Sequence, residues 1–103
     1  MDRFVTVARS RDVPPGTMRA VQVGQTPILL ANVDGIVHAC GGWCTHRGAP
    51  LDEGNLWEAT VSCPYHGGQF DVQTGAVLAG PPLDPLPTYP VRVSGDAIQI
   101  RLP

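Results

Sequence analysis

An all-β fold, an antiparallel sandwich or barrel carrying an inserted loop-rich lobe, is predicted by three observations on this sequence. Twelve Gly and eleven Pro make more than a fifth of the 103 residues turn-formers. The apolar residues come in short runs between those turn-formers, a pattern of strands rather than of long helices. The length suits one domain with a single core, burying about two-thirds of the surface its unfolded chain exposes. One domain over residues 1–103 is expected, with the lobe spanning about 41–83.

The alternation of residues 4–8 reads as a first strand, and Val13-Pro14-Pro15-Gly16 breaks it as a turn. Strands over 18–23 and 28–33 flank Gly24-Gln25-Thr26-Pro27, and Asp34-Gly35 is a strong hairpin turn into a strand over 36–39. Residues 56–62 read as one further strand, with Leu56 and Trp57 in the core. Residues 69–72 and 76–78 form two short strands across the Thr74-Gly75 turn. Five of the eight residues from 80 to 87 are Gly or Pro, which makes a stiff, extended loop. Strands over 89–93 and 97–102 close the chain as a hairpin around Ser94-Gly95-Asp96.

The formal net charge is −2, all seven basic residues are Arg, and no stretch concentrates positive charge as a nucleic-acid or anionic-membrane surface requires. The first residues alternate polar with apolar and contain no apolar signal core, and no apolar run is long enough to cross a bilayer. A cytoplasmic, unprocessed protein is expected. Three cysteines are too few, and odd in number, for a disulfide framework, so in a reducing compartment they suit metal ligation or burial.

Two of the three cysteines and two of the three histidines fall into paired sites: Cys44-Thr45-His46, then sixteen residues, then Cys63-Pro64-Tyr65-His66. Glycine follows each pair, Gly48 after the first and Gly67-Gly68 after the second, letting backbone approach a compact inorganic group and aim N–H donors at it. Two loops gripping one object is the simplest geometry.

The pattern resembles the Rieske iron–sulfur family, with its C-x-H and C-x-x-H ligand spacing, over essentially the whole chain. The likeness includes the Asp34-Gly35 turn, the run from Cys44 to Leu51, and the run from Cys63 to Asp71. It implies a Rieske-type fold and one [2Fe–2S] cluster, with Cys44 and Cys63 on the inner iron as thiolates and His46 and His66 on the outer iron through ring nitrogens. Two imidazoles in place of two thiolates leave the oxidised cluster neutral, which eases addition of an electron and raises the potential. High-potential members carry Ser and Tyr where this chain has Gly68 and Phe70, and an extra cysteine pair, disulfide-linked, where it has Ala49 and Tyr65. The resemblance therefore implies the soluble ferredoxin branch, with a potential near the low end of the family range. A solvent-facing histidine pair also makes that potential depend on pH.

Other readings stand beside this one. Cys₂His₂ is also a zinc set, although the short C-x-H spacing and the glycine-rich flanks suit a cluster better than a zinc finger. Cys40 reads as a small buried hydrophobe rather than a fifth ligand, and His38 as an ordinary strand-face residue. Trp43 either shields the site, docks a partner or simply packs. Residues 80–87 are either a proline-bearing loop covering the cluster or a surface connection. Arg47, Asp52 and Glu53 either steer a partner or are solvated charges.

The resemblance implies a carrier of single electrons from a flavin-dependent NAD(P)H reductase to a terminal oxygenase that hydroxylates aromatic rings. No substrate turnover of its own is expected, because an oxygenase needs a mononuclear iron site and only His38 remains beyond the four ligands. Docking would be brief and small, and nothing in the sequence demands more than a monomer. The alternatives are a protein like the small subunit of nitrite reductase, whose ligands are often missing, and a zinc-stabilised interaction module.

Overall fold

The computed structural model describes residues 3–45, 48–65, 67–80 and 84–102. Among the described residues eleven strands form three antiparallel sheets, with no α-helix and only two short 3-10 turns. The strands are β1 (Phe4–Arg9), β2 (Met18–Val23), β3 (Thr26–Val33), β4 (Ile36–Gly41), β5 (Asn55–Trp57), β6 (Thr60–Ser62), β7 (Gln69–Asp71), β8 (Val77–Ala79), β9 (Thr88–Tyr89), β10 (Val91–Ser94) and β11 (Ala97–Arg101). They order as β1-β11-β10, β2-β3-β4-β9 and β5-β6-β7-β8.

The β2-β3-β4-β9 sheet is the middle layer, and its side-chain period of two divides the core. Ile28, Leu30 and Ala39 face Ile98 and Ile100 of the β1-β11-β10 sheet. Their neighbours Leu29, Ala31 and Cys40 face the other way, packing with Cys44, Leu51, Val61, Cys63, Phe70, Val72 and Leu86. Burial on both sides explains why β3 is apolar almost throughout rather than alternating. Each fully buried Leu or Ile contributes about 1.5–3 kcal/mol.

Two-residue turns set the hairpin registers. Asp34 and Gly35 both have positive φ, 55° and 93°, which matches the right-handed strand twist. The buried Asn32 braces this turn: its Oδ1 accepts from the Gly35 N–H at 2.8 Å, and its Nδ2 donates to the Val13 carbonyl at 2.7 Å. Gly24 and Gly95 supply the positive φ at the β2–β3 and β10–β11 turns.

Four expectations are corrected. Residues 56–62 are not one strand: β5 and β6 form a hairpin, Trp57 pairing with Thr60 across Glu58-Ala59. Its turn lacks glycine, and Glu58 takes the left-handed φ of 53° itself. The strand expected over 89–93 breaks at Pro90, which has no N–H for a ladder; β9 pairs with β4 and β10 with β11. Trp57, expected in the core, lies at the sheet margin and is 75% exposed. Strand β3 also begins at Thr26, inside the expected spacer.

Candidate metal centre

Two loops bring the cysteines together. The first leaves the middle sheet at Gly41, and Gly42 lies so close to β3 that an added Cβ would sit 3.0 Å from the Ile28 nitrogen. The loop then closes on itself: Trp43 bridges Pro50, the Cys44 N–H donates to the Ala49 carbonyl at 2.8 Å, and the Gly48 N–H donates to the Cys44 carbonyl at 2.8 Å. The second loop joins β6 to β7, whose last pair is Ser62 with Gln69; there the Cys63 N–H donates to the Gly68 carbonyl at 2.7 Å. In both loops the cysteine N–H reaches the carbonyl five residues on. Gly48 and Gly67 take φ of 68° and 71°, which bends each loop in a way an L side chain resists.

Cys44 and Cys63 are 2% and 3% exposed and share one apolar cluster. No disulfide joins them to each other or to Cys40. Two buried sulfur donors, delivered by separate loops into one apolar cluster, fit an iron–sulfur group, which thiolates hold. His46 and His66, the other two expected ligands, lie outside the described residues, as does Arg47. Among the described residues no group of three or more His, Cys, Asp or Glu gathers where it could hold a metal ion.

Residues 84–87 are tied beside the first loop. The Thr45 hydroxyl donates to the Asp84 carbonyl at 2.7 Å, the Gly41 N–H donates to the Pro87 carbonyl at 2.9 Å, and Leu86 is buried in the same cluster as both cysteines. Residues 81–83 lie outside the described set. The Thr45–Asp84 bond was not legible from the sequence, because its partners are 39 residues apart and neither carries a local signal for the other.

Cys40 is fully buried behind the first loop, and burial pushes its thiol up to about 12. Burial also raises the Tyr89 phenol, with Cys40 as the second cause. His38 is half-buried on β4, its Nε2 3.5 Å from the Gln73 side-chain nitrogen, in an open groove distinct from the cysteine loops. Trp43 and Tyr65 are 57% and 63% exposed, one on each loop, and Asp52 and Glu53 are exposed nearby in sequence. Trp43 is therefore not a core residue.

A family model described as Rieske [2Fe–2S] domain matches residues 3–90. The 3-phenylpropionate/cinnamic acid dioxygenase ferredoxin subunit of Shigella boydii serotype 4 (strain Sb227) is 44% identical over 94 residues, covering 89% of this chain and 87% of that protein. Apoptosis-inducing factor 3 of Mus musculus is 38% identical over 96 residues, but the chain spans only 16% of its length while 93% of this chain is covered. Among solved structures, the Sphingomonas yanoikuyae B1 ferredoxin superposes with a TM-score of 0.92 at 33% identity, covering 98% of this chain and all of that one. A chain from the complex of reduced oxygenase and oxidized ferredoxin in carbazole 1,9a-dioxygenase superposes with a TM-score of 0.88 at 35% identity, covering 94% and 91%.

Proposed function

Because this chain belongs to the Rieske [2Fe–2S] domain family, we propose that it carries single electrons from a flavin-dependent NAD(P)H reductase to a terminal ring-hydroxylating oxygenase. The observation that carries the reading is the burial of Cys44 and Cys63 in one apolar cluster, each at the base of a loop whose sequence continues to a histidine. When bound, the [2Fe–2S] cluster supplies a centre that takes up and gives back one electron.

The chain's own residues have separable tasks. Cys44 and Cys63 supply thiolates from the buried side, and His46 and His66 complete the set with neutral imidazoles. Leu51, Val61, Phe70 and Leu86 keep water from the sulfur side, so any hydrogen bond to a sulfur weighs heavily there. The exposed Trp43 and Tyr65 offer apolar area for a short-lived contact with a partner. Residues 41–83 are the cluster-binding lobe of a single domain over 1–103, and the protein works as a cytoplasmic monomer without turning over a substrate of its own. The match to a dioxygenase ferredoxin subunit over 89% of this chain supports the carrier role, and the carbazole dioxygenase complex supports the oxygenase partner. No helix among the described residues is long and apolar enough to cross a membrane.

The test is anaerobic reconstitution followed by iron and acid-labile sulfide analysis and electron paramagnetic resonance after dithionite. Equal iron and sulfide, with the low average g value of a Rieske centre, is the expected result. Cys44→Ser and His66→Ala should each abolish that spectrum. A colourless protein that binds zinc would overturn the reading.

A further inference from the structure

The outward face of the β1-β11-β10 sheet is organised around one aromatic ring. Ile98 and Ile100 point into the inner core, which turns Gln99 and Arg101 outward; the register sets Thr6 and Arg92 beside Gln99, and Phe4 beside Arg101. The Arg92 guanidinium lies 4.3 Å from the Phe4 ring centroid and that of Arg101 lies 5.6 Å from the same point. Arg92 Nε donates to Gln99 Oε1 at 2.9 Å, and Gln99 Nε2 donates to Thr6 Oγ1 at 3.1 Å. That row runs across all three strands and holds Arg92 over the ring, leaving its terminal nitrogens for an outside acceptor.

Two positive charges gathered at one ring repel each other. Neither is paired with a carboxylate among the described residues, where the ion pair present is Arg9 with Asp96 at 3.1 Å. We propose that this face docks an acidic protein surface whose carboxylates engage Arg92 and Arg101. Charge complementarity selects that occupant. A carboxylate meets the guanidinium fork with two parallel hydrogen bonds, and the fork is already oriented by Phe4 and Gln99. Arg92 and Arg101 are both exposed, so a lone small anion keeps most of its water there, whereas a protein surface brings several carboxylates at fixed spacing. A second copy of this chain is a poor match, because a two-fold contact would set arginine against arginine.

The middle sheet stands between this face and the lobe that carries Cys44 and Cys63. A partner held here leaves the lobe uncovered, so docking by the base and electron exchange at the lobe are compatible in one assembly.

The test uses the ¹⁵N-labelled holoprotein at low ionic strength, following the Arg92 and Arg101 side-chain Nε–H signals as hexaglutamate peptide is added. Both signals should shift saturably, and R92Q/R101Q should bind the peptide about fivefold more weakly with its visible spectrum unchanged. Phe4→Leu, which removes the ring and keeps both charges, should give an intermediate loss. Inorganic phosphate is the second probe: binding as tight as the peptide's would overturn the assignment to a protein surface. Absence of saturable shifts, or equal binding by R92Q/R101Q, would overturn the docking face itself.

Discussion

The Leu86 N–H donates to the Gly75 carbonyl at 2.8 Å, and the two residues lie so close that a Cβ on Gly75 would overlap the Leu86 carbonyl oxygen. This contact fastens the β7–β8 turn to the segment that buries Leu86 beside Cys44 and Cys63. Gly75 also has φ of 81°. Gly75→Ala should therefore destabilise the holoprotein by at least about 2 kcal/mol, combining backbone strain with overpacking. Denaturant unfolding measures this, and a loss below about 0.5 kcal/mol would show that the turn relaxes freely.

The two aromatic residues of the β5–β8 sheet should respond oppositely to truncation. Trp57 is 75% exposed, while Phe70 is fully buried against Val61 and both cysteines. Phe70→Ala should cost about 3–5 kcal/mol and Trp57→Ala within about 0.5 kcal/mol. Thermal unfolding of the two variants side by side decides the matter.

Cys40 should be chemically silent in the folded protein. Burial pushes its thiol from an ordinary 9.0 up to about 12, so iodoacetamide at neutral pH should leave it unlabelled. The linkage sign follows from proton counting. Between 9.0 and about 12 the unfolded chain has released this proton and the folded chain has kept it, so stability falls as pH rises through that window. Below it the contribution is fully present. Cys40→Ala should flatten this alkaline slope without changing the iron content, and an unchanged slope would mean that other groups set it.

The potential should sit near the low end of the family range. Gly68 is buried and accepts the Cys63 N–H, and Phe70 is buried on β7; neither offers a hydroxyl to a sulfur. The midpoint should lie below about +100 mV by redox titration. Gly68→Ser should raise it: one hydrogen bond worth about 1 kcal/mol more to the reduced form moves a one-electron couple by on the order of 40 mV. A variant with an unchanged or lower midpoint would refute the role given to that position.

Local chemistry made much of this protein readable from its residues alone. Asp34-Gly35 and the glycine of Ser94-Gly95-Asp96 mark hairpins because few residues accept positive φ, and those turns are where the structure has them. The pairing of Cys44 with His46 and of Cys63 with His66 stood out because soft and imidazole donors at short spacing seldom recur by accident. Other features had no local signature. Glu58 turns a hairpin without a turn-forming residue, held by the ladder on either side of it, and Pro90 divides what reads as one strand between two sheets.

Sequence by itself determined the all-β character, the glycine-bearing hairpin turns and the spacing of its Cys and His residues, since each depends on φ preference, alternation or side-chain chemistry over a few residues. Tertiary structure alone decided which side of each strand meets water, and so exposed Trp57 and gathered Arg92 and Arg101 at Phe4. The reason is that burial is a relation between layers: a period of two says that faces differ, but only the stacking of three sheets says what covers each face.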